Sequence, residues 1–495
     1  MSVHRIGLFV LALLIALPSG TAVAQDNKDS RAERRDSAPG ILKMLPADSV
    51  TQHAIDTAKG KLNYTATAGT LAFYDQSGTQ SAAVFYTAYV VKGGNRPVTF
   101  VFNGGPGAAS AFLHMGLVGP RILELGPDGH DAARPELHDN PHSWLAFTDL
   151  VMIDPIGTGW SRAAKSEDAK NFWSVSSDAN AMAKAISLYV THNNRGSAPK
   201  YLLGESYGGF RAAKVARALE RDQGMAVAGI VMVSPLLEGW LTFGDDGSAL
   251  RAALQLPSLA AAELERKKAF STDALAAAEK FAMTDYLTTM AGRPPQGAAG
   301  EAFYRRVAQI SGLPLDIITQ SRGFVSDSYI KSLRAGKIVS RYDAGFAVDD
   351  PFPEGRSSRG GDPVLDGVSR AYGGGFADYA RNELGFRTEM TYQLLASEVT
   401  GNWDWRNGRN RASSEDDIRT LLSFTPSFRL LIAHGYADMV TPYGMTRYVL
   451  DHLPPIGTPG RVQLKLYRGG HMFYIDRQSR QDFNADAAAF YRTAE

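Results

Sequence analysis

Nine residues, YLLGESYGG at 201–209, constrain the fold of this chain more than any other stretch. The apolar residues at 201–203 predict a buried strand that stops at Gly204, and apolar residues at helical spacing begin after Gly208. The pattern therefore predicts a strand, a sharp turn carrying Ser206, and a helix. Such a turn needs residues without side chains two positions before and after the serine, and both glycines satisfy that condition. We expect the Ser206 hydroxyl to project from the sheet edge as a nucleophile.

The elements predicted around this turn indicate an α/β fold. Short apolar runs predict buried strands, an amphipathic pattern at about 175–190 predicts a helix, and alternation over 61–92 predicts a hairpin. Alternating strands and helices imply a mostly parallel central sheet with helices on both faces. The buried strands are predicted at 97–102, 149–154, 201–203, 228–233, 428–433 and 462–467.

A chain of 495 residues can form one large domain that carries an insertion. Residues 239–378 contain alanine-rich helical patterns, long glycine-rich loops and few buried-strand runs, so we predict a mainly helical cap insertion there. The sheet core is then predicted in two parts, 52–238 and 379–495. The YGGG at 372–375 is expected to be a loop.

The N-terminus has the pattern of an export signal. A short basic start, an apolar run and a small-residue ending predict a cleavable signal peptide at 1–24, with an uncleaved anchor as the alternative. The polar composition of 25–51 predicts a disordered lead-in. No later stretch reaches 18 apolar residues, so no membrane association is expected after cleavage. We expect an exported protein, periplasmic or secreted.

Composition argues against several classes of protein. The 52 basic and 51 acidic side chains give a net charge of +1, which would not attract nucleic acid or an anionic membrane. With no cysteine, the chain has no disulfide framework and no thiolate nucleophile. His138 and His142 are four residues apart, but Asn140-Pro141 breaks any helix between them and no third ligand follows. No metal, no cofactor and no particular oligomeric state are predicted.

Two later loops provide a candidate base and acid for Ser206. In hydrolases built on such a sheet the order along the chain is serine, acid, histidine, each following a strand. Asp438 lies five residues beyond the predicted strand ending at Ala433, and His471 lies four beyond the one ending at Tyr467. A capping aspartate or a hydrogen-bonded loop histidine would explain either residue alone. The three together favour Ser206 as nucleophile, His471 as base and Asp438 as the group that orients it.

Taken in order, six motifs resemble those of the serine carboxypeptidase family. The resemblance covers the predicted core, from about 85 to 240 and 380 to 490, and is much weaker in the cap. It implies an α/β-hydrolase fold and an exported serine-type carboxypeptidase. The motifs are NGGPG at 103–107, NPHSW at 140–144, DPIGTGWS at 154–161, GESYGG at 204–209, the aspartate of GYADMVTP and the histidine of GGHMF.

The resemblance also implies roles for four further residues. Asn103 and Glu205 would bind the terminal carboxylate of a peptide, and the amides of Gly105 and Tyr207 would form an oxyanion hole. Two carboxylates about 4 Å apart repel by roughly 4 kcal/mol at an effective dielectric near 20. Glu205 is therefore expected to be protonated when it holds a C-terminus, through a raised pKa, and activity is expected to favour acidic pH.

Two positions depart from the family pattern. The family often has a cysteine after NGGPG and a glutamate shortly before the next Gly-Pro, where this chain has Ala108 and Leu117. The missing acid would remove one neighbour that raises the pKa of Glu205, so a milder preference for acidic pH is expected.

Three functions stay open at this stage. The first is an exopeptidase that cleaves peptides with a free C-terminus through an acyl-enzyme. The second is an esterase or acyltransferase on the same fold and triad, and the third is a catalytically silent binding protein. Asn103 with Glu205 favours the first, because an ester without a free carboxylate has no use for that pair. The intact triad argues against the third.

Overall fold

The computed structural model describes residues 40–57, 60–126, 129, 131–326, 333–354 and 361–492. The predicted signal peptide at 1–24 and residues 25–39 of the predicted lead-in lie outside this part. Residues 40–51 are ordered, with a 3-10 helix at Gly40–Met44 and the start of a strand at Ser49. The prediction of disorder is wrong for these residues. Leu42 is buried, and the strand pairs with its neighbour along its whole length, which satisfies its backbone polar groups.

The strands form one large sheet and two small hairpins. In chain order they are β1 (Ser49–Thr57), β2 (Gly60–Tyr74), β3 (Gln80–Val90), β4 (Val98–Phe102), β5 (Arg121–Leu125), β6 (Pro135–Asp139), β7 (Asp149–Ile153), β8 (Arg162–Ala163), β9 (Lys200–Glu205), β10 (Gly229–Val233), β11 (Lys337–Val339), β12 (Ala347–Asp349), β13 (Arg429–Gly435) and β14 (Val462–Tyr467).

The large sheet has the order β1-β2-β3-β7-β4-β9-β10-β13-β14, with β8 paired to β3. Every pair from β7 to β14 is parallel, and β1 to β3 form an antiparallel edge that continues onto β7. This topology confirms the predicted α/β class with a mostly parallel sheet. The predicted hairpin over 61–92 is the β2–β3 pair.

Both faces of the parallel strands are covered by helices. Every residue of β4 is buried, and successive side chains point to opposite faces. Phe100 belongs to the apolar cluster that includes the helices Val175–His192 and Tyr207–Gln223. Thr99 faces the other side, where its hydroxyl hydrogen-bonds that of Tyr491 at 2.7 Å. The helix Arg477–Arg492 therefore packs on the second face.

Residues between β10 and β13 include the mainly helical region expected from the sequence. Its apolar cluster also contains Ala437 and Met439 from the loop after β13, so the helical region packs directly on that loop. Its helices are Gly239–Thr242, Ala249–Arg266, Thr272–Phe281, Leu287–Ala291, Gly297–Ser311, Leu315–Gln320 and Pro363–Asn382. The remaining longer helices of the core are Val175–His192, Tyr207–Gln223, Glu415–Phe424, Tyr443–Asp451 and Arg477–Arg492.

The helix Pro363–Asn382 differs from the sequence-based expectation in two ways. It contains residues 372–375, which were predicted to be a loop, and the predicted core boundary at 378 falls inside it. Glycine disfavours a helix by up to about 1 kcal/mol per residue. Here Tyr372 and Phe376, one turn apart, are buried and offset that cost.

The carboxyl ends of the parallel strands meet at one edge of the sheet. Asn103 follows β4, Asp154 follows β7 and Ser206 follows β9. The loops after β13 and β14 carry Asp438 and His471. The topology thus delivers residues far apart in sequence to one place, as the rule for ligand sites in such sheets predicts.

Candidate active site

The turn at Ser206 has the strained geometry that its two glycines imply. Ser206 has φ 60° and ψ −125°, immediately before the helix Tyr207–Gln223. A Cβ on Gly204 would lie 1.9 Å from the carbonyl oxygen of Gly208, and one on Gly208 would lie 2.7 Å from that of Phe102. The Ser206 amide donates to Val233 O at 2.9 Å, which anchors the turn to β10. Strain of this kind is typical of a nucleophile held above a sheet edge.

Asp438 and His471 form a buried hydrogen-bonded pair. His471 Nδ1 lies 2.9 Å from Asp438 Oδ2, and the Thr441 hydroxyl donates to the same oxygen at 2.8 Å. The amides of Val440 and Thr441 donate to Asp438 Oδ1. Both side chains of the pair are almost fully buried. The carboxylate therefore accepts hydrogen bonds on both oxygens and fixes the orientation of the imidazole.

The charges of this pair shift both pKa values. Burial would raise the pKa of Asp438, but the charges and hydrogen bonds of His471 and His434 hold it well below its usual range. Burial would lower the pKa of His471, but Asp438 and Glu205 outweigh it and raise the pKa above its usual value. His434 is a weaker partner, since its Nδ1 lies 3.9 Å from Asp438 Oδ2.

One cleft of about 160 Å³ brings together most of the predicted site residues. It is lined by Ser206, His471, both proposed oxyanion residues and both residues of the proposed carboxylate clamp, while Asp438 lies behind His471. Within the described residues the Ser206 hydroxyl makes no hydrogen bond to His471. Such contacts are often long without substrate and shorten when it binds.

Glu205 lies buried beside the nucleophile, with hydrogen-bond donors on both oxygens. Asn103 Nδ2 donates to Oε2, and the Tyr474 hydroxyl lies 3.0 Å from Oε1 and 2.9 Å from Oε2. Burial raises the pKa of Glu205 to about 7, although His471 and the bonds from Tyr474 and Asn103 lower it. The carboxyl is therefore protonated below about pH 7 without the second acid that Leu117 replaces.

Asn103 is itself held by groups that sequence reasoning missed. Its Oδ1 accepts the Leu113 amide at 3.1 Å, and its carbonyl accepts a hydrogen bond from Arg211 Nη1. Arg211 also donates from Nε to Asp178 Oδ2 at 2.6 Å, and both side chains are buried. In the sequence Arg211 resembles the polar side of an amphipathic helix, so only the three-dimensional contact reveals its role. Through Arg211, this ion pair fixes the position of Asn103.

The loop at 103–107 lies directly against the turn of Ser206. A Cβ on Gly104 would be 2.6 Å from the Tyr207 nitrogen, so this loop and the start of the helix are in close contact. Asp154, from the motif after β7, holds the far end of the loop by accepting the Ser110 amide at 2.8 Å. This packing places Gly105 and the Tyr207 amide at the same cleft.

In the part of the chain that the structure describes, no group of three or more histidine, cysteine or acidic side chains is placed to hold a metal ion. His138 is exposed on β6 and contacts Glu136 at 3.2 Å. None of the described helices combines the length and apolar character needed to cross a bilayer.

Comparison with known proteins finds similarity to one family. Residues 59–232, about a third of the chain, match the model of a family described as serine carboxypeptidase. The chain is 27% identical over 171 residues to serine carboxypeptidase-like 42 of Arabidopsis thaliana, covering 33% of this chain and 35% of that protein. It is 30% identical over 128 residues to the retinoid-inducible serine carboxypeptidase of Rattus norvegicus, covering 25% of each. The matches span about a third or less of these relatives' length.

The fold extends further than the sequence matches. The crystal structure of Kex1Δp, a prohormone-processing carboxypeptidase from Saccharomyces cerevisiae, aligns with a TM-score of 0.53 at 14% identity. The alignment covers 93% of this chain and 95% of that one. At this identity the likeness concerns the fold alone, and it confirms the predicted α/β-hydrolase architecture.

Proposed function

We propose that this protein is a serine-type carboxypeptidase that removes residues from the free C-termini of peptides through an acyl-enzyme. The observation that carries the proposal is the protonatable Glu205, buried beside Ser206 and contacted by Asn103 and Tyr474. A neutral carboxyl with an amide and a phenol beside it suits a terminal carboxylate, whereas an ester without one would leave this costly buried group unused.

The proposed reaction assigns one task to each site residue. Ser206 Oγ attacks the carbonyl carbon of the last peptide bond, and His471 takes its proton while Asp438 stabilises the imidazolium. The amides of Gly105 and Tyr207 donate to the oxyanion, each contributing about 3 to 4 kcal/mol to lowering the barrier. His471 then protonates the departing amine, and water, activated by the same histidine, hydrolyses the acyl-enzyme.

The first test compares one peptide in two forms. Mass spectrometry after incubation at about pH 7, near the pKa of Glu205, should show stepwise loss of C-terminal residues from the free acid and none from the C-terminal amide. The amide is the matched control, because it differs only in the group that Glu205 would hold. Cleavage of simple esters without peptide trimming would support an esterase instead. Absence of labelling of Ser206 by a fluorophosphonate would support a silent binding protein.

The second prediction concerns pH. Because Glu205 binds a carboxylate only while protonated, kcat/KM for free-acid peptides should fall as pH rises through about 7. The acidic limb should report His471, which must lose its proton to act as base. Glu205→Gln keeps a neutral donor at every pH, so the alkaline fall should flatten. An ester substrate without a carboxylate is the control. An alkaline limb unchanged by Glu205→Gln would contradict the assignment.

We also propose that the protein is exported. The proposal is supported by the N-terminal pattern at 1–24, whose small-residue ending suits cleavage after Ala24. Export would place the enzyme in the periplasm or the medium, where peptides with free C-termini would be its substrates.

A further inference from the structure

A second and larger cavity, of about 660 Å³, adjoins the catalytic cleft. Tyr342 and Met472 line both spaces, so the two are neighbours on either side of these side chains. Met472 directly follows His471 in the chain. The Tyr342 ring packs edge-on against the His471 ring, with centroids 5.2 Å apart. The cavity is therefore next to the catalytic base.

The cavity lies on the side of the cleft that holds the carboxylate clamp. Tyr372 lines its wall, and a Cβ on Gly116 would be 2.8 Å from both the Tyr372 hydroxyl and the Tyr474 ring. Tyr474 is the phenol that contacts Glu205. The side chain of a residue whose carboxylate binds Glu205 would thus extend towards this cavity.

A segment of the cap region fixes Asp343 at the cavity wall. The His471 amide donates to Tyr342 O at 2.5 Å, and the Ala344 amide donates to Ala437 O at 3.0 Å. A Cβ on Gly470 would lie 2.6 Å from Asp343 Cα. Backbone contacts on both sides therefore hold Asp343 against the loops that carry Asp438 and His471.

Asp343 is a cavity carboxylate without a cationic partner. Within the described part of the chain it forms no ion pair, and its Oδ1 accepts only the Gly345 amide, at 2.8 Å. The pKa of Asp343 is raised to about 7, and burial is the main cause. Glu265 and Asp438 also raise this pKa, whereas the Gly345 amide and Arg468 lower it.

The other charged side chains of the cavity have partners. Asp476 caps the helix Arg477–Arg492 through the Ser479 amide. The cavity's other charges pair with one another, as Arg468–Glu265, Arg477–Glu124 and Arg480–Glu124.

We propose that this cavity receives the side chain of the substrate's C-terminal residue and that Asp343 makes it selective for a basic one, lysine or arginine. The inference rests on the proposed carboxypeptidase function. A lysine stem can pack on the apolar side chains of Phe346, Val364 and Met472 in the wall. The lysine ammonium would then form an ion pair with the Asp343 carboxylate.

The test uses two blocked dipeptides, N-acyl-Phe-Lys and N-acyl-Phe-norleucine, assayed at pH 7. Norleucine matches the lysine stem and lacks the ammonium, so the ratio of the two kcat/KM values isolates the charge. The wild-type enzyme should prefer lysine by about tenfold. Asp343→Asn should bring the ratio close to one. Because each ratio is measured within one preparation, an unfolded fraction cancels.

The matched control is Asp349→Asn. Asp349 is an exposed aspartate on β12 of the same region, and its substitution should keep the lysine preference. Equal wild-type turnover of both dipeptides would overturn the inference and leave the proposed function intact. A lysine preference that survives Asp343→Asn would also overturn it. If neither dipeptide is cleaved by enzyme whose serine is labelled by a fluorophosphonate, the proposed function fails as well.

Discussion

Asp438→Asn is expected to lower kcat/KM by about 10⁴-fold while the protein stays folded. The side-chain oxygen of the substituted amide could still accept the amides of Val440 and Thr441, which currently bond Asp438 Oδ1. Its NH₂ group would then occupy the position of Oδ2, which faces His471 Nδ1. An NH₂ donor forces Nδ1 to accept, so the ring proton moves to Nε2 and the imidazole can no longer take the proton of Ser206.

The measurement is the rate of cleavage of a blocked dipeptide, normalised to the concentration of folded protein. Asp451→Asn provides the control, because Asp451 is an exposed aspartate at the end of the helix Tyr443–Asp451. That variant should keep wild-type activity. An Asp438→Asn enzyme that stays within tenfold of the wild type would show that another group orients His471. His434, 3.9 Å from the same oxygen, would be the first to test.

Local sequence patterns predicted the parts of the site that follow strands. Ser206, Asp438 and His471 each stand a few residues beyond an apolar run, and parallel strands bring such positions to one edge. The steric demands of the turn explain why glycine stands two residues before and after Ser206. In the structure, a side chain at either position would collide with neighbouring backbone. These positions could be predicted because the causes lie within a few residues of the chain.

The parts that the sequence did not reveal depend on contacts between distant segments. Tyr474 stands in an apolar run after His471, and only the fold brings its hydroxyl to Glu205. Arg211 shares a helix with the partly exposed Lys214 and Arg217, yet its side chain is fully buried. Whether a polar side chain on an amphipathic helix faces solvent or a buried partner depends on what packs above it, which periodicity does not encode. The order of residues 49–51 likewise depends on pairing with β2.

Arg211→Met is expected to destabilise the protein by about 3 to 5 kcal/mol. The substitution leaves the carboxylate of Asp178 buried without its counter-ion, since the pair is joined at 2.6 Å and both side chains are shielded from solvent. Burial already raises the pKa of Asp178, and the Arg211 charge and hydrogen bond oppose that shift. Urea unfolding should therefore show a lower midpoint. Pairing Arg211→Met with Asp178→Leu should recover much of the loss, because no charge then stays buried alone.

Arg217→Met is the matched control on the same helix. Arg217 pairs with Glu220 in a partly exposed ion pair, so its loss should cost no more than about 1 kcal/mol. The double variant should still bind free-acid peptides poorly, because Arg211 also donates to the carbonyl of Asn103. A raised KM for the free acid with unchanged turnover of a simple ester would identify Arg211 as a positioning residue of the clamp. Equal unfolding midpoints for Arg211→Met and Arg217→Met would contradict the account of a buried ion pair that supports both the fold and the site.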